Sequence, residues 1–453
     1  MSLARSSTTV RSAELIGALS HALDLTEGQP KGHCLRVCWM GMKLGNAFGL
    51  SRMALSDLYY TLLLKDLGCS SNAARICQLY LTDDHSFKAD FKLIDGSLSQ
   101  ALRFVLTHTG LESGMSERFR AILNILRNGG QISRELIEAR CHRGADIARQ
   151  MGFSEAVADA IQNLDEHWDG SGKPEGKAGS DIPLASQIAL LAQVADVFLI
   201  AQGRQAAIRE IDSRADTWFD PRLVATFLEI SQSDHFWEPL LADDLARSIL
   251  SLEPEEHIRH ADEDYMDRLA KGFAMVVDSK SPFTAGHSAR VALYADMIGE
   301  QLALTATHRR HLRRGALLHD IGKLGISNTI LDKPDKLTDA EFATIQSHPQ
   351  LSADILSAIP AFAELVPMAG GHHEKLDGRG YPRKLKGNEI SFETRVIAVA
   401  DIFDALTADR PYRKAMPASE AMHIISDDSG KGLDANCVEA LRNALQKMDL
   451  AAA

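Results

Sequence analysis

Seven residues between positions 287 and 401 are of the types that hold transition metals: His287, His319, Asp320, His348, His372, His373 and Asp401. His319 and Asp320 are adjacent in the stretch GALLHDIGK at 315–323. A neutral imidazole there can fix one ion while the neighbouring carboxylate bridges to a second. Several members also have a plainer reading. His348, just before Pro349, taken alone reads first as a helix-end residue, and a solvated pair is the plainer reading of His372–His373. Asp401 is harder to explain that way. It sits inside the apolar run VIAVADIF, and a carboxylate on a buried helix face needs a partner, of which a metal is one of the few that suffices. Seven imidazole and carboxylate ligands suit two first-row transition ions, iron or manganese at least as well as zinc. Such a pair would acidify a shared water and present it as a nucleophile.

Nearby cations fit that chemistry. Lys323 follows Asp320 by about one turn and is placed to donate to a phosphate oxygen, or to offset a helix dipole. Arg410 and Arg413 are a candidate clamp for an anionic group, guanidinium geometry favouring this over a lysine, with a surface charge as the plainer reading of either. Asp404, one turn from Asp401, reads as a supporting residue or the partner of a lysine.

The elements that must position these groups read as helices. Val291, Ala295, Ile298 and Leu302 recur at helical spacing over 289–302. Thr338 with Glu341 forms a capping box that opens a helix predicted to run to His348, Pro349 lying just beyond. Alternating β-branched runs are few, and the fold class expected is all-α.

The chain also repeats itself. KGHCLRV at 31–37 matches AGHSARV at 285–291, and LLLKDLG at 62–68 matches ALLHDIG at 316–322; both are displaced by 254 positions. Farther on, His142 pairs with His348, WDGSGKP at 168–174 with LDGRGYP at 376–382, and AQVADVF at 192–198 with IAVADIF at 397–403. In this register Asp196 is the partner of Asp401, and the offsets are 206, 208 and 205. Two tandem helical-bundle domains are expected: 1–255, with an insertion near 80–130, and 256–453. They join near the acidic stretch 251–264, ahead of a helix beginning near Tyr265. Independent surface residues would not recur in one order with apolar flanks.

Composition bounds the rest. The 453 residues suit two domains, and a net charge of −12 argues against a protein that wraps nucleic acid. Six cysteines lack zinc-site spacing and read as reduced thiols in a cytoplasmic protein, with Cys34 and Cys38 in packing. The longest apolar candidate, 188–201, contains Asp196, so neither membrane insertion nor export is expected.

Residues 265–450 resemble an HD-GYP domain, a branch of the HD phosphohydrolase superfamily. The resemblance rests on GHSARV, HDIGK, the His348 helix, GHHEKLDGRGYP at 371–382 and VADIFDALTADRPYR at 399–413. It implies an HD-type helical fold and metal-dependent hydrolysis of a cyclic dinucleotide. It also implies one ion on His287, His319, Asp320 and Asp401, and a second on Asp320, His348, His372 and His373. Some similar proteins bind a third ion through a glutamate four residues before the first histidine. Here that position is Phe283, so two ions are expected. The loop of Gly380, Tyr381 and Pro382 implies contacts with partners such as diguanylate cyclases or other signalling proteins. A dimer is compatible with this reading.

The first copy has Lys65 where the second has His319, Leu164 and Asp165 where it has the histidine pair, and Lys173 for Tyr381. The arginine pair has no counterpart. A working two-metal phosphodiesterase is not expected there, and a structural or regulatory use is. The leading functional expectation is hydrolysis of cyclic di-GMP to the linear dinucleotide, and in some cases on to GMP. The alternatives are preference for another cyclic dinucleotide such as cyclic GMP-AMP, or a non-catalytic signalling scaffold.

Overall fold

The structure is a computed structural model that describes residues 11–94, 97–254 and 261–452, the last four of them in backbone only. The described residues are helical, with isolated bridges and no strands, as the weak strand signals predict. They form two compact units divided between Arg268 and Leu269, inside the helix Glu263–Asp278. The expected boundary at 255/256 lies outside the described residues.

In the second unit the helix His287–Gln301 packs against Ala306–Leu318, Phe392–Thr407 and Ala435–Ala452. Phe392–Thr407 starts at Ser391, whose hydroxyl accepts from the Thr394 N–H. Val396 through Asp401 are buried without a break, so this helix runs through the core instead of along its edge. Each large aliphatic side chain removed from water there stabilises the unit by about 1.5–3 kcal/mol. Asp401 and Asp404, one turn apart, share the face that such a helix turns toward its neighbours.

The capping box at Thr338 and Glu341 is present, but its helix ends at Ile345 and a new one opens at His348. Pro349 therefore starts a helix where the sequence reading had it following one. Its fixed φ and missing N–H cost nothing in a first turn.

The first unit places His33–Ala47 at its centre, against Ser12–Thr26, Arg52–Leu64, Leu184–Gln202 and Pro221–Ile230. Leu184–Gln202 is long and apolar enough to cross a membrane, but it is mostly buried inside this unit, where it carries Asp196. Cys34 and Cys38 are both buried on the central helix. Over 80–130 the insertion forms the helices Asp84–Phe91 and Leu98–His108 and the first half of Met115–Gln150, preceded by Ala73–Tyr80. It has an apolar cluster of its own that includes Tyr80, Phe87, Phe104 and Ile125.

Candidate metal centre and its degenerate counterpart

All seven expected ligands converge in the second unit, and helix ends account for much of the convergence. His319 closes Ala306–Leu318, His348 opens His348–Ser357, and His372 closes Val366–Gly371. At each of these positions Nδ1 contacts the carbonyl oxygen three residues earlier: Ala316 at 2.7 Å, Ile345 at 2.7 Å and Ala369 at 2.8 Å. His287 instead sets Nδ1 2.7 Å from Asp404 Oδ2. Nδ1–H donation to these oxygens fixes the tautomer and leaves Nε2 a free lone pair, the support that metal-binding histidines require.

The Nε2 atoms meet around Asp320. His287 and His319 each lie 3.3 Å from Asp320 Oδ2, His348 lies 3.2 Å from Oδ1, and His372 lies 3.6 Å from Oδ1. Asp401 closes the first set, 3.4 Å from His287 Nε2 and 3.9 Å from His319 Nε2. His373 joins the second, with His348 and His372. His287 Nε2, His319 Nε2 and Asp320 Oδ1 are buried without a hydrogen-bond partner. Orphaned buried polar atoms are costly, and divalent metal held by these residues would satisfy all three. The residues present therefore fit the metals.

Electrostatics agree. Burial opposes charge on His287 and His319, but the surrounding carboxylates prevail and raise them to about 10 and about 9. Burial likewise opposes ionisation of Asp320 and Asp401, yet both are held well below the usual range, Asp320 chiefly by His319 and Lys323 and Asp401 by His287 and His319. His372, farther from compensating carboxylates, is pushed by burial to about 4. The first pocket thus demands positive charge, and without metal it draws protons.

The other expected residues fall at varying distances from this chemistry. Lys323 Nζ is 2.5 Å from Asp320 Oδ2, at the edge of the cluster. The Tyr381 ring lies 4.7 Å from that of His373, and the Tyr381 N–H donates to the His373 carbonyl. Asp404 pairs with no lysine. It accepts from Arg290 Nε at 2.6 Å and Nη2 at 3.0 Å while it holds His287. Arg290 escaped the sequence reading, although both GHSARV and GHCLRV display an arginine three residues after the histidine.

The clamp expected of Arg413 does not match its placement. Its guanidinium donates to the carbonyls of Ala405 at 2.6 Å, Leu406 at 2.9 Å and Lys414 at 2.7 Å, tying down the end of Phe392–Thr407. The Arg410 side chain has no partner among the described residues. Phe283 lines a surface cavity of about 460 Å³ with Arg290, Thr407 and Asp409, and offers no ligand atom.

The first unit corrects the register of the repeat. His33 Nδ1 lies 2.6 Å from Asp196, and Arg36 donates to the same carboxylate at 2.6 and 3.1 Å. That is the His287–Asp404–Arg290 arrangement, so Asp196 is the counterpart of Asp404 and Gln193 that of Asp401. Gln187 donates to the carbonyls of Gly179 and Ile182 as Arg395 does to those of Gly387 and Ile390, again 208 positions on. A Cβ on Gly68 would collide with the Arg140 carbonyl, and one on Gly322 with that of His348. Arg140, not His142, therefore stands for His348. The VAD identity that suggested 205 is displaced by one helical turn.

Comparison with known proteins agrees with this architecture. An HD domain family model matches residues 114–223 and again 271–437. The 3'3'-cGAMP-specific phosphodiesterase 3 of Vibrio cholerae is 50% identical over 433 residues, 96% of this chain and 94% of that protein. A crystal structure of a cyclic GMP-AMP specific phosphodiesterase of V. cholerae is similar with a TM-score of 0.65 and 45% identity, over 96% of this chain and 98% of that one. The cyclic di-GMP phosphodiesterase response regulator RpfG of Xanthomonas campestris pv. campestris is 34% identical over 186 residues, 41% of this chain and 48% of that protein. The family match over 271–437 spans the histidines and aspartates gathered around Asp320, and the chain belongs to the HD domain family, in its HD-GYP branch of phosphodiesterases.

Proposed function

We propose that this chain hydrolyses a cyclic dinucleotide in its second unit and prefers 3'3'-cyclic GMP-AMP. The preference rests on one observation. The relative alike over 96% of the chain is named for cyclic GMP-AMP, whereas a relative named for cyclic di-GMP covers 41%. Cyclic di-GMP, the leading expectation from the motifs, accordingly becomes the secondary substrate. One water is consumed and one P–O bond breaks, leaving a linear dinucleotide with a terminal phosphate and a new hydroxyl.

One ion would be held by His287, His319, Asp320 and Asp401, and a second by Asp320, His348, His372 and His373, two in all because Phe283 offers no ligand. Bound iron or manganese would supply Lewis acidity to the phosphoryl oxygens and acidify the attacking water. Lys323, half-tethered to Asp320, donates to a non-bridging phosphate oxygen as charge builds there. Arg410, with its guanidinium free, holds the distal phosphate. Tyr381 shapes the wall beside His373. Reduced, largely buried thiols agree with a cytoplasmic location.

The test is anaerobic purification, metal quantification, and parallel assays of both cyclic dinucleotides beside a His319→Ala, Asp320→Ala variant. We expect kcat/KM to favour cyclic GMP-AMP by about tenfold or more, and activity to fall by roughly a thousandfold or more in the variant. Full metal occupancy without turnover of either ligand would sink the enzymatic reading. Equal rates on both would remove the preference.

A further inference from the structure

The family match over 114–223, together with the repeat that pairs His33 and Asp66 with His287 and Asp320, implies a metal centre in the first unit as well, and the residues there do not fit one. We infer that this unit carries built-in cations in place of metal ions: the Lys65 ammonium at the first position and the Arg140 guanidinium at the second.

The geometry at the first position is specific. Lys65 replaces His319, and its Nζ lies 3.1 Å from His33 Nε2 and 2.8 Å from Gln193 Oε1, and bonds to Asp66 Oδ2. Those three partners are the counterparts of His287, Asp401 and Asp320. One ammonium thus collects the same three side-chain positions that would surround an ion in the second unit. It is fully buried, and His33 Nε2, whose counterpart is orphaned in the second unit, here has its partner. Gln193 for Asp401 removes one negative charge, which suits a monovalent ammonium where the second unit awaits a divalent ion.

At the second position the cation is itself the counterpart of a ligand. Arg140 stands for His348 and pairs with Asp165, which stands for His373; Leu164, for His372, offers nothing. The insertion adds two more cations. Lys92 Nζ lies 2.5 Å from Glu27 Oε2, and Lys88 donates to the carbonyls of Cys69 and Thr26. Glu27, Asp66 and Cys69 are close enough together to hold an ion. Lys65 already sits on Asp66, however, and Lys92 on Glu27. A divalent ion entering would meet buried positive charge at short range, where repulsion is poorly screened. The insertion therefore supplies cations to the pocket through Lys92 and Lys88.

The frame that orients a metal-binding histidine, Asp196 with Arg36, persists around His33 although its purpose has changed. In this arrangement the first unit's fold is independent of metal supply while the second unit's site is not.

Two measurements on the full chain test this. In a variant with His287, His319, His348, His372 and His373 changed to Gln and Asp320 and Asp401 changed to Asn, so that no ligand of the second unit is left, bound iron, manganese and zinc should fall to none per chain. A retained ion would place a metal in the first unit and overturn the inference. Separately, Lys65→Met should lower the melting of the first unit by on the order of 10 °C, because Asp66 loses its buried cation, while the metal content of the chain stays unchanged. Unchanged melting would overturn it. So would a first-unit transition that shifts on adding EDTA to the wild type, and this last readout needs no variant to fold.

Discussion

His287 Nδ1 and Asp404 Oδ2 lie 2.7 Å apart, and His33 Nδ1 and Asp196 Oδ2 repeat that contact at 2.6 Å in the first unit. In each case an arginine one turn after the histidine braces the carboxylate. The second unit uses the brace to present Nε2 to an ion, so Asp404 is a positioning residue. Asp404→Asn should weaken metal binding by about 10–100-fold, measured by chelator competition. A fall in melting temperature with unchanged metal affinity would reduce the contact to packing.

The two arginines of the RPYR segment should separate by phenotype. Arg413→Ala removes the donors to three carbonyls and should cost about 1–3 kcal/mol in denaturant unfolding of the second unit. Arg410→Ala should leave stability alone and raise KM by about tenfold. A KM rise for Arg413→Ala with no loss of stability would restore the clamp.

Gly380 is the point where the loop crosses its own backbone. A Cβ there would collide with Glu374 and the Lys375 N–H, just as one on Gly172 would collide with Glu166 and the His167 N–H. The Glu374 carboxylate anchors the loop by accepting from the N–H groups of Arg383 and Leu385. Gly380→Ala should destabilise the second unit by about 1–3 kcal/mol and move Tyr381 off His373, lowering kcat as well. Calorimetry and steady-state kinetics on one preparation check both.

Acid should act on the first unit through Glu27. Burial opposes its ionisation, but Lys92 and Lys88 overcome this and hold the carboxyl at about 2, against 4.5 unperturbed. A depressed carboxyl lends stability that is fully present above pH 4.5 and is lost as pH falls toward 2, because the unfolded chain takes up the proton first. Denaturant midpoints between pH 5 and pH 3 should therefore fall less steeply for Glu27→Gln than for the wild type, even though the variant is less stable at neutral pH. Equal slopes would remove Glu27 from the account.

Much of the centre is legible in the chain itself. Local motifs carry His287, HDIGK, the GHHE pair and Asp401, because a metal site restricts residue type at every ligand and type is what a sequence displays. The all-α class and the duplication follow as directly from periodicity and order. The register of that duplication does not. On a helix, residues three apart share a face, so sliding AQVADVF by one turn away from its structural register keeps an apolar pattern and creates a three-letter identity, VAD, that the true register lacks. Only the hydrogen bonds of Asp196, Gln187 and Arg36 reveal which turn is which. Arg413 is a similar case, since a guanidinium near a site looks the same in sequence whether it awaits a phosphate or is spent on carbonyls. The sequence alone determined which side chains could do chemistry. Tertiary structure decided which of their atoms were already satisfied, because that depends on contacts between residues more than a hundred positions apart, as in the Lys65–Gln193 bond.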